Sequence, residues 1–287
     1  MTTTLNNRYR IEKTLGRGGF GQTFLASDTH MPSGRQCVIK QLQPAVQDPA
    51  TERWILDCFQ REAATLEELG EAHPQIPCLY AYFAEAGQFF LVQEYIPGPT
   101  LQQKVRDSGP FSESAVCSLL ADILPVLDFV HSRRIIHRDI KPDNIILREK
   151  DGKPVLIDFG AVKEAIATVY DNHGRTNHSV AVGTPGYMAS EQAAGRPVFS
   201  SDLYSLGLTV IYLLTGKHPG QLQADPRTGE ILWESETPRL SRALVAVLDR
   251  ATRFHPRDRY ASAREMLEAL EMAAVPSAAA TWVAAPP

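Results

Sequence analysis

The chain has 287 residues, 44% of them hydrophobic, enough to bury the core of one large domain or of two lobes. Its 29 basic and 33 acidic side chains leave a formal net charge of −4, which argues against the basic excess of a nucleic-acid binder. Cys37, Cys58, Cys78 and Cys117 are scattered and form no CxxC pair, so they read as small apolar residues of a reducing compartment and not as zinc ligands or disulfides.

Met1 to Arg10 is polar and lacks the apolar centre of a signal peptide. Short β-rich runs follow at Tyr9–Glu12, Thr23–Ala26 and Gln36–Lys40, separated by Gly and Pro-Ser-Gly turns. Between Thr51 and Leu69, apolar residues recur at Ile55, Phe59, Ala63, Leu66 and Leu69, a helical spacing for which Gly70 is the expected C-cap. Phe89–Val92 reads as a further strand, ended by Pro97-Gly98-Pro99.

Beyond that break the pattern turns helical. Ser112 to His131 reads as an amphipathic helix with Ser112 as N-cap and Ala115 where a capping box would have glutamate. Ile145–Leu147 and Val155–Ile157 are short strands around a Lys150-Asp151-Gly152 turn. Helices are expected over Ser201–Thr215, closed by Gly216, and over Leu240–Thr252 and Ser262–Met272. The runs such as Leu203–Leu214 are too short and interrupted to span a bilayer, so no membrane segment is expected. The strand-rich first third and helical remainder imply two lobes, about 9–95 and 99–272, with a cleft near residues 94–100. Residues 273–287 are Ala/Pro-rich and read as a linker or tail.

Four stretches carry chemistry. Gly16-Arg17-Gly18-Gly19-Phe20-Gly21 is a G-x-G-x-x-G run that can cover phosphates with backbone N–H groups. It leads into a strand and not a helix, which excludes the dinucleotide-binding form. Cys37-Val38-Ile39-Lys40 ends an apolar strand in a lysine that needs an anionic partner, and Glu62 on the following helix is the best one. His137-Arg138-Asp139-Ile140-Lys141-Pro142-Asp143-Asn144 crowds polar groups between apolar runs, more than a plain turn requires. Ile157-Asp158-Phe159-Gly160 ends a buried strand in a carboxylate.

Taken together in this order, these motifs resemble the eukaryotic-type protein kinase family, bacterial branch, over Tyr9 to Met272. Gly183-Thr184-Pro185-Gly186-Tyr187-Met188-Ala189 and Gly18–Phe24 are similar to bacterial and cyanobacterial members. The resemblance implies an α+β bilobal fold, with a small antiparallel sheet and one main helix in the first lobe and a larger helical second lobe. It implies ATP as co-substrate with Mg2+, Mn2+ being a substitute, and protein substrates. Lys40 is then expected on the α- and β-phosphates and paired with Glu62, Asp139 on the acceptor hydroxyl, Lys141 on the γ-phosphate, and Asn144 and Asp158 on the metals. Lys141 with Thr184 implies serine or threonine acceptors, Thr184 contacting Asp139.

Further positions follow from the same resemblance. Adenine is expected between Leu15, Thr23 and Val38 above and Ile146 below, its edge on the backbone of Glu94 and Ile96, with Gln93 behind. Glu191 is expected to pair with Arg259, Asp202 to brace the catalytic loop, and Leu66, Leu79, His137 and Phe159 to form a column between the lobes. Thr23, Val38 and Ser190 depart from the family's valine, alanine and proline. The larger Val38 narrows the adenine pocket, a change of the kind that costs about 1–3 kcal/mol where neighbours do not adjust. Arg138 before the catalytic aspartate implies activation by a phosphate on the loop carrying Thr168, Tyr170, Thr176, Ser179 and Thr184, with transient self-association for autophosphorylation at Thr176 or Ser179. His173 and His178 in that loop read as polar loop residues and not as metal ligands. The alternatives are a pseudokinase scaffold, which would lack one of Lys40, Asp139 or Asp158, and a small-molecule phosphotransferase, which would lack the Lys141 arrangement and the 183–191 segment. A cytoplasmic location is expected, any membrane tether lying beyond residue 287.

Overall fold

The computed structural model describes residues 4–18, 21–42, 49–159 and 186–274. Gly19, Phe20, Gly160, Thr168, Tyr170, His173, Thr176, His178, Ser179 and Thr184 lie outside them, as do residues 275–287.

The first lobe is an antiparallel sheet of β1 (Thr4–Leu5), β2 (Tyr9–Gly18), β3 (Gly21–Asp28), β4 (Gln36–Leu42), β5 (Leu79–Glu85) and β6 (Gln88–Glu94), ordered β1-β2-β3-β4-β6-β5. Helix α1 (Pro49–Ala72) packs on one face through Phe59, Ala63 and Leu66, against Leu42 and Leu91. The other face closes over Tyr9, Ala26, Cys37, Ile39, Phe90 and Val92. Tyr9 stacks on Phe83 at 5.9 Å, and the Asn6 N–H donates to Glu85 Oε2 at 2.9 Å, so the sheet curls until its first strands meet β5.

Period-2 alternation decides which residues face the cleft. Thr23 pairs with Lys40, Leu25 with Val38, and Val38 with Gln93. Directly paired residues share a face, so Thr23, Val38, Lys40 and Gln93 point to the same side of the sheet. At Gly21 (φ +150°), an added Cβ would stand 1.8 Å from the Gln41 carbonyl oxygen. Glycine is therefore what lets β3 begin flush against β4.

The helix boundaries correct several expectations: the helix expected from Ser201 begins at Phe199, and the one expected over Leu240–Thr252 is the shorter Arg242–Ala251. Gly70 does not cap α1, because the helix continues to Ala72. The residue is small because Pro77 crosses there: a Cβ on Gly70 would lie 2.3 Å from the Pro77 carbonyl oxygen. Two other expected edges move outward. Strand β1 precedes Tyr9 and pairs with it, and the last helix runs past Met272 to Ala274.

The second lobe contains α2 (Leu101–Ser108), α3 (Glu113–Ser132), the β7–β8 hairpin (Ile145–Leu147, Pro154–Leu156), α4 (Ser190–Ala193), α5 (Phe199–Thr215), a β9–β10 hairpin (Gln223–Ala224, Ile231–Leu232), α6 (Arg242–Ala251) and α7 (Ala263–Ala274). Thr100 begins α2 with a capping box, its hydroxyl accepting from the Gln103 N–H and the Gln103 side chain accepting from its own. Ser112 caps α3 through the Ala115 N–H. Gly216 closes α5 in the left-handed conformation, φ +68°. Among the described residues, only α3 is long and apolar enough to cross a membrane. Leu120, Ile123, Leu124, Leu127 and Val130 bury it in the core of this lobe.

Candidate active site

Where the two lobes face each other there is a cleft of about 410 Å³. Gly16, Arg17, Gly21 and Thr23 line it from the β2–β3 hairpin, Lys40 and Glu62 from β4 and α1, and Lys141, Asn144 and Asp158 from the second lobe. Residues far apart in sequence thus meet around one space.

The strand pairing above turns Lys40 inward, and the helical face that buries Phe59, Ala63 and Leu66 carries Glu62 toward it. Lys40 Nζ lies 3.2 Å from Glu62 Oε1 and 2.6 Å from Asp158 Oδ1. Burial opposes charge on Lys40, but Asp158 and then Glu62 outweigh it, and the ammonium is held charged well above the usual lysine range. Asp158 reaches the lysine from a left-handed backbone, φ +62°. Phe159, next in sequence, turns into the core and packs 4.6 Å from the His137 ring. Leu66, Leu79 and Phe159 belong to one apolar cluster running from α1 into the second lobe.

The catalytic-loop candidates lie below. Asn144 is buried, and its Nδ2 donates to the Asp139 carbonyl at 2.8 Å and to Asp139 Oδ2 at 2.7 Å. Lys141 Nζ stands 3.3 Å from the same Oδ2. Asp139 is thus a buried carboxylate oriented by an amide and an ammonium. Asp202, fully buried, accepts from the His137 N–H and the Arg138 N–H, each at 2.8 Å. Burial would raise its pKa, yet the His131 hydrogen bond and nearby histidines hold it below the usual carboxylate range.

His137 adds a second brace. Its Nε2 donates to the Ile157 carbonyl at 3.1 Å, and its Nδ1 accepts from the Asp139 N–H at 3.3 Å. Those two bonds require the neutral ring, and burial accordingly pushes its pKa down. One histidine therefore ties the loop bearing Asp139 to the strand leading into Asp158.

The expected metal ligands fit a hard cation. Asn144 has committed its amide nitrogen to Asp139, leaving its oxygen for ligation, and Asp158 supplies a carboxylate. Among the described residues no group of three or more His, Cys, Asp or Glu gathers as an all-protein metal cage. A sparse oxygen set is what Mg2+ takes when phosphate and water complete its shell, whereas structural zinc requires four protein ligands.

The adenine-side candidates form a looser group. Val38, Glu94 and Ile146 are half-buried, Gln93 and Ile96 are buried, and Leu15 is 44% exposed. The Glu94 N–H is occupied by the Cys78 carbonyl at 2.8 Å and is not the group that meets a base. The cleft described above includes Thr23 but not Val38, Gln93, Glu94, Ile96 or Ile146. It is the phosphate end of the expected site.

Behind the loop, Arg259 is fully buried and grips Glu191 with two bonds, Nη1 to Oε1 at 2.6 Å and Nη2 to Oε2 at 3.2 Å. Ser201 Oγ donates to the same Glu191 at 2.6 Å. Two residues here escaped the sequence reading. His131 Nε2 donates to Asp202 Oδ2 at 2.9 Å; its spacing from Leu124 and Leu127 on the apolar face of α3 was the available signal. Gln192 donates to the Arg138 carbonyl, and nothing in the sequence marks it beyond its place after Glu191.

The family model described as Protein kinase domain matches residues 9–270. The chain is 65% identical over 267 residues to serine/threonine-protein kinase C of Synechocystis sp., covering 93% of this chain and 50% of that protein. It is 59% identical over 275 residues to serine/threonine-protein kinase PknA of Nostoc sp., covering 96% and 49%. The chain thus spans about half the length of the curated relatives it matches. Among solved structures it is similar to the PknI kinase domain of Mycobacterium tuberculosis, with a TM-score of 0.71 and 27% identity over 95% of this chain and 98% of that one. A cleft with a lysine–glutamate pair above, a braced aspartate below and a second aspartate between them agrees with a match over nearly the whole sequence: this chain belongs to the protein kinase domain family.

Proposed function

We propose that this chain transfers the γ-phosphoryl group of ATP to serine and threonine hydroxyls of proteins. The observation that carries the reading is the Asp139 carboxylate, buried beside Lys141 and Asn144 and opposite the Lys40–Asp158 contact. Asp139 orients the acceptor hydroxyl and takes up its proton as that oxygen bonds to the γ-phosphorus and the bond from the γ-phosphorus to the β–γ bridging oxygen breaks, releasing ADP. Lys141 neutralises charge on the moving phosphoryl group. Lys40, steadied by Glu62, holds the α- and β-phosphates under the β2–β3 hairpin, while Thr23, Val38 and Ile146 enclose adenine. Asn144 and Asp158 would hold Mg2+, which would offset the negative charge of the phosphates. Little covalent work falls to the protein, so placing these charges in a partly water-free cleft is the main contribution.

The names of the Synechocystis and Nostoc relatives support serine/threonine acceptors, as does Lys141 two residues after Asp139. Activation by autophosphorylation at Thr176 or Ser179, through transient self-association, belongs to the same proposal. Arg138, the residue directly before Asp139, is the cation to receive such a phosphate. The test is incubation with radiolabelled ATP, Mg2+ and a generic protein substrate, followed by phosphoamino-acid analysis and phosphopeptide mapping. Phosphoserine and phosphothreonine are expected, together with a modified 168–184 segment. Phosphotyrosine alone would overturn the acceptor assignment, and an unmodified segment in active enzyme would overturn the activation scheme.

A further inference from the structure

Arg138 has φ +68°, a left-handed conformation that a non-glycine residue seldom adopts and that persists only where its surroundings impose it. Asp202 supplies part of that restraint by accepting the Arg138 N–H at 2.8 Å. The opposite side of the residue is held by Gln192, whose Nε2 donates to the Arg138 carbonyl at 2.6 Å across 54 residues of sequence. That carbonyl and the Asp139 N–H belong to one peptide unit, and the N–H is bonded to His137 Nδ1 at 3.3 Å. The peptide plane that introduces Asp139 is therefore gripped at both ends, by a histidine on one side and Gln192 on the other.

The backbone carrying Gln192 is held through its neighbour. Gln192 lies in α4 (Ser190–Ala193), directly after Glu191, which Arg259 and Ser201 hold from two directions. A continuous set of bonds thus runs from Arg259 through Glu191 and its neighbour Gln192 to the backbone carrying Asp139.

We propose that Gln192 is a positioning residue for Asp139, fixing the 138–139 peptide plane by donating to the Arg138 carbonyl. The inference rests on the reading of Asp139 given above. Gln192 touches no reacting atom and acts only through the backbone. The chemistry requires a donor: a carbonyl can only accept, and an ionised carboxylate in the same place would face it with no proton to offer.

The isosteric Gln192→Glu variant separates that donor from mere packing. At about pH 8 its kcat is expected to fall about tenfold or more, with KM for ATP within about twofold of wild type, because the cleft residues are untouched. As the pH is lowered, the new carboxyl takes up a proton and can donate again, so the ratio of variant to wild-type kcat rises. Gln192→Ala loses kcat similarly but shows no such recovery. A purely structural role would lower the melting temperature and leave kcat per folded molecule and the pH ratio unchanged. Amide hydrogen exchange of Arg138 and Asp139, followed by NMR, supplies a readout independent of activity and is expected to quicken in both variants. Wild-type kcat in Gln192→Glu, a flat pH ratio, or unchanged exchange would overturn the inference. A wild-type protein that transfers no phosphate would instead overturn the reading of Asp139, and the exchange result would still decide the role of Gln192.

Discussion

Replacing Arg259 with methionine should destabilise the second lobe more than any surface change. The methionine retains an unbranched stem but removes all five donors. Five hydrogen bonds disappear: Nε to the Arg253 carbonyl, Nη1 to Glu191 Oε1 and the Ser200 carbonyl, and Nη2 to Glu191 Oε2 and the Phe254 carbonyl. The guanidinium also lies over the Tyr204 ring at 4.4 Å. Glu191, only 14% exposed in the intact pair, is left with Ser201 as its remaining side-chain partner. Removing one member of a buried pair costs about 3–5 kcal/mol. For a domain of this size, each kcal/mol corresponds to roughly 2–4 °C, so the melting temperature should fall by roughly 6–20 °C. Glu191→Leu, the matching single change, removes both acceptor oxygens and leaves the buried guanidinium without its anion. Replacing both members with apolar residues should cost less than the sum of the single changes, because no ion is left unpaired. Differential scanning calorimetry on the four proteins gives each quantity. A loss below about 1 kcal/mol for Arg259→Met, or strict additivity in the double variant, would refute the view of Glu191–Arg259 as a coupled buried pair.

Three further outcomes follow from the same geometry. Lys40→Met should lower kcat/KM on the order of a hundredfold or more, since it removes a preorganised cation from the phosphate end of the cleft; steady-state kinetics in ATP would check it, and a change under about threefold would count against the site. Gly70→Ala pushes a methyl group against the Pro77 backbone 2.3 Å away and should cost about 1–3 kcal/mol by overpacking, despite alanine's better helix propensity; urea denaturation that found it stabilising would contradict the crossing. The pH dependence has two parts. The folded pKa of His137 is depressed, chiefly by burial, so its contribution is complete above the unfolded value of about 6.5 and is lost as pH falls through the folded value. The depressed Asp202 and Glu191 carboxylates contribute above about pH 4 and lose that contribution below it. Melting temperature should therefore begin to fall below about pH 6.5, and His137→Tyr should flatten that first part; an unchanged slope would argue against a buried neutral ring.

Much of this organisation was legible because the candidate site residues and their neighbours are adjacent in sequence. Asp139, Lys141 and Asn144 fall within six residues, and the structure keeps them in contact. Lys40 and Glu62 could be paired because a strand period and a helix period each point one residue inward. Capping chemistry at Ser112 and Gly216 is likewise local. Failures came where the reason is tertiary. Gly70 looks like a helix end, but its small size serves a crossing chain seven residues later. The α2 helix was hidden by its polar Gln102-Gln103-Lys104 start after a proline break, although Thr100 and Gln103 form its capping box. Gln192 acts on a carbonyl 54 residues away, and no local pattern can announce such a bond.

Asp139, in the proposed reaction, positions the acceptor hydroxyl for phosphoryl transfer from ATP. Single-turnover transfer from ATP and Mg2+ to a serine-containing peptide, comparing wild type with Asp139→Asn, tests that role most directly, with ATP affinity measured separately by titration. Wild type should transfer phosphate, the variant should be slower by about 10²–10⁴, and ATP affinity should be essentially unchanged. An inactive wild type, or a variant within about threefold of wild type, would contradict that role.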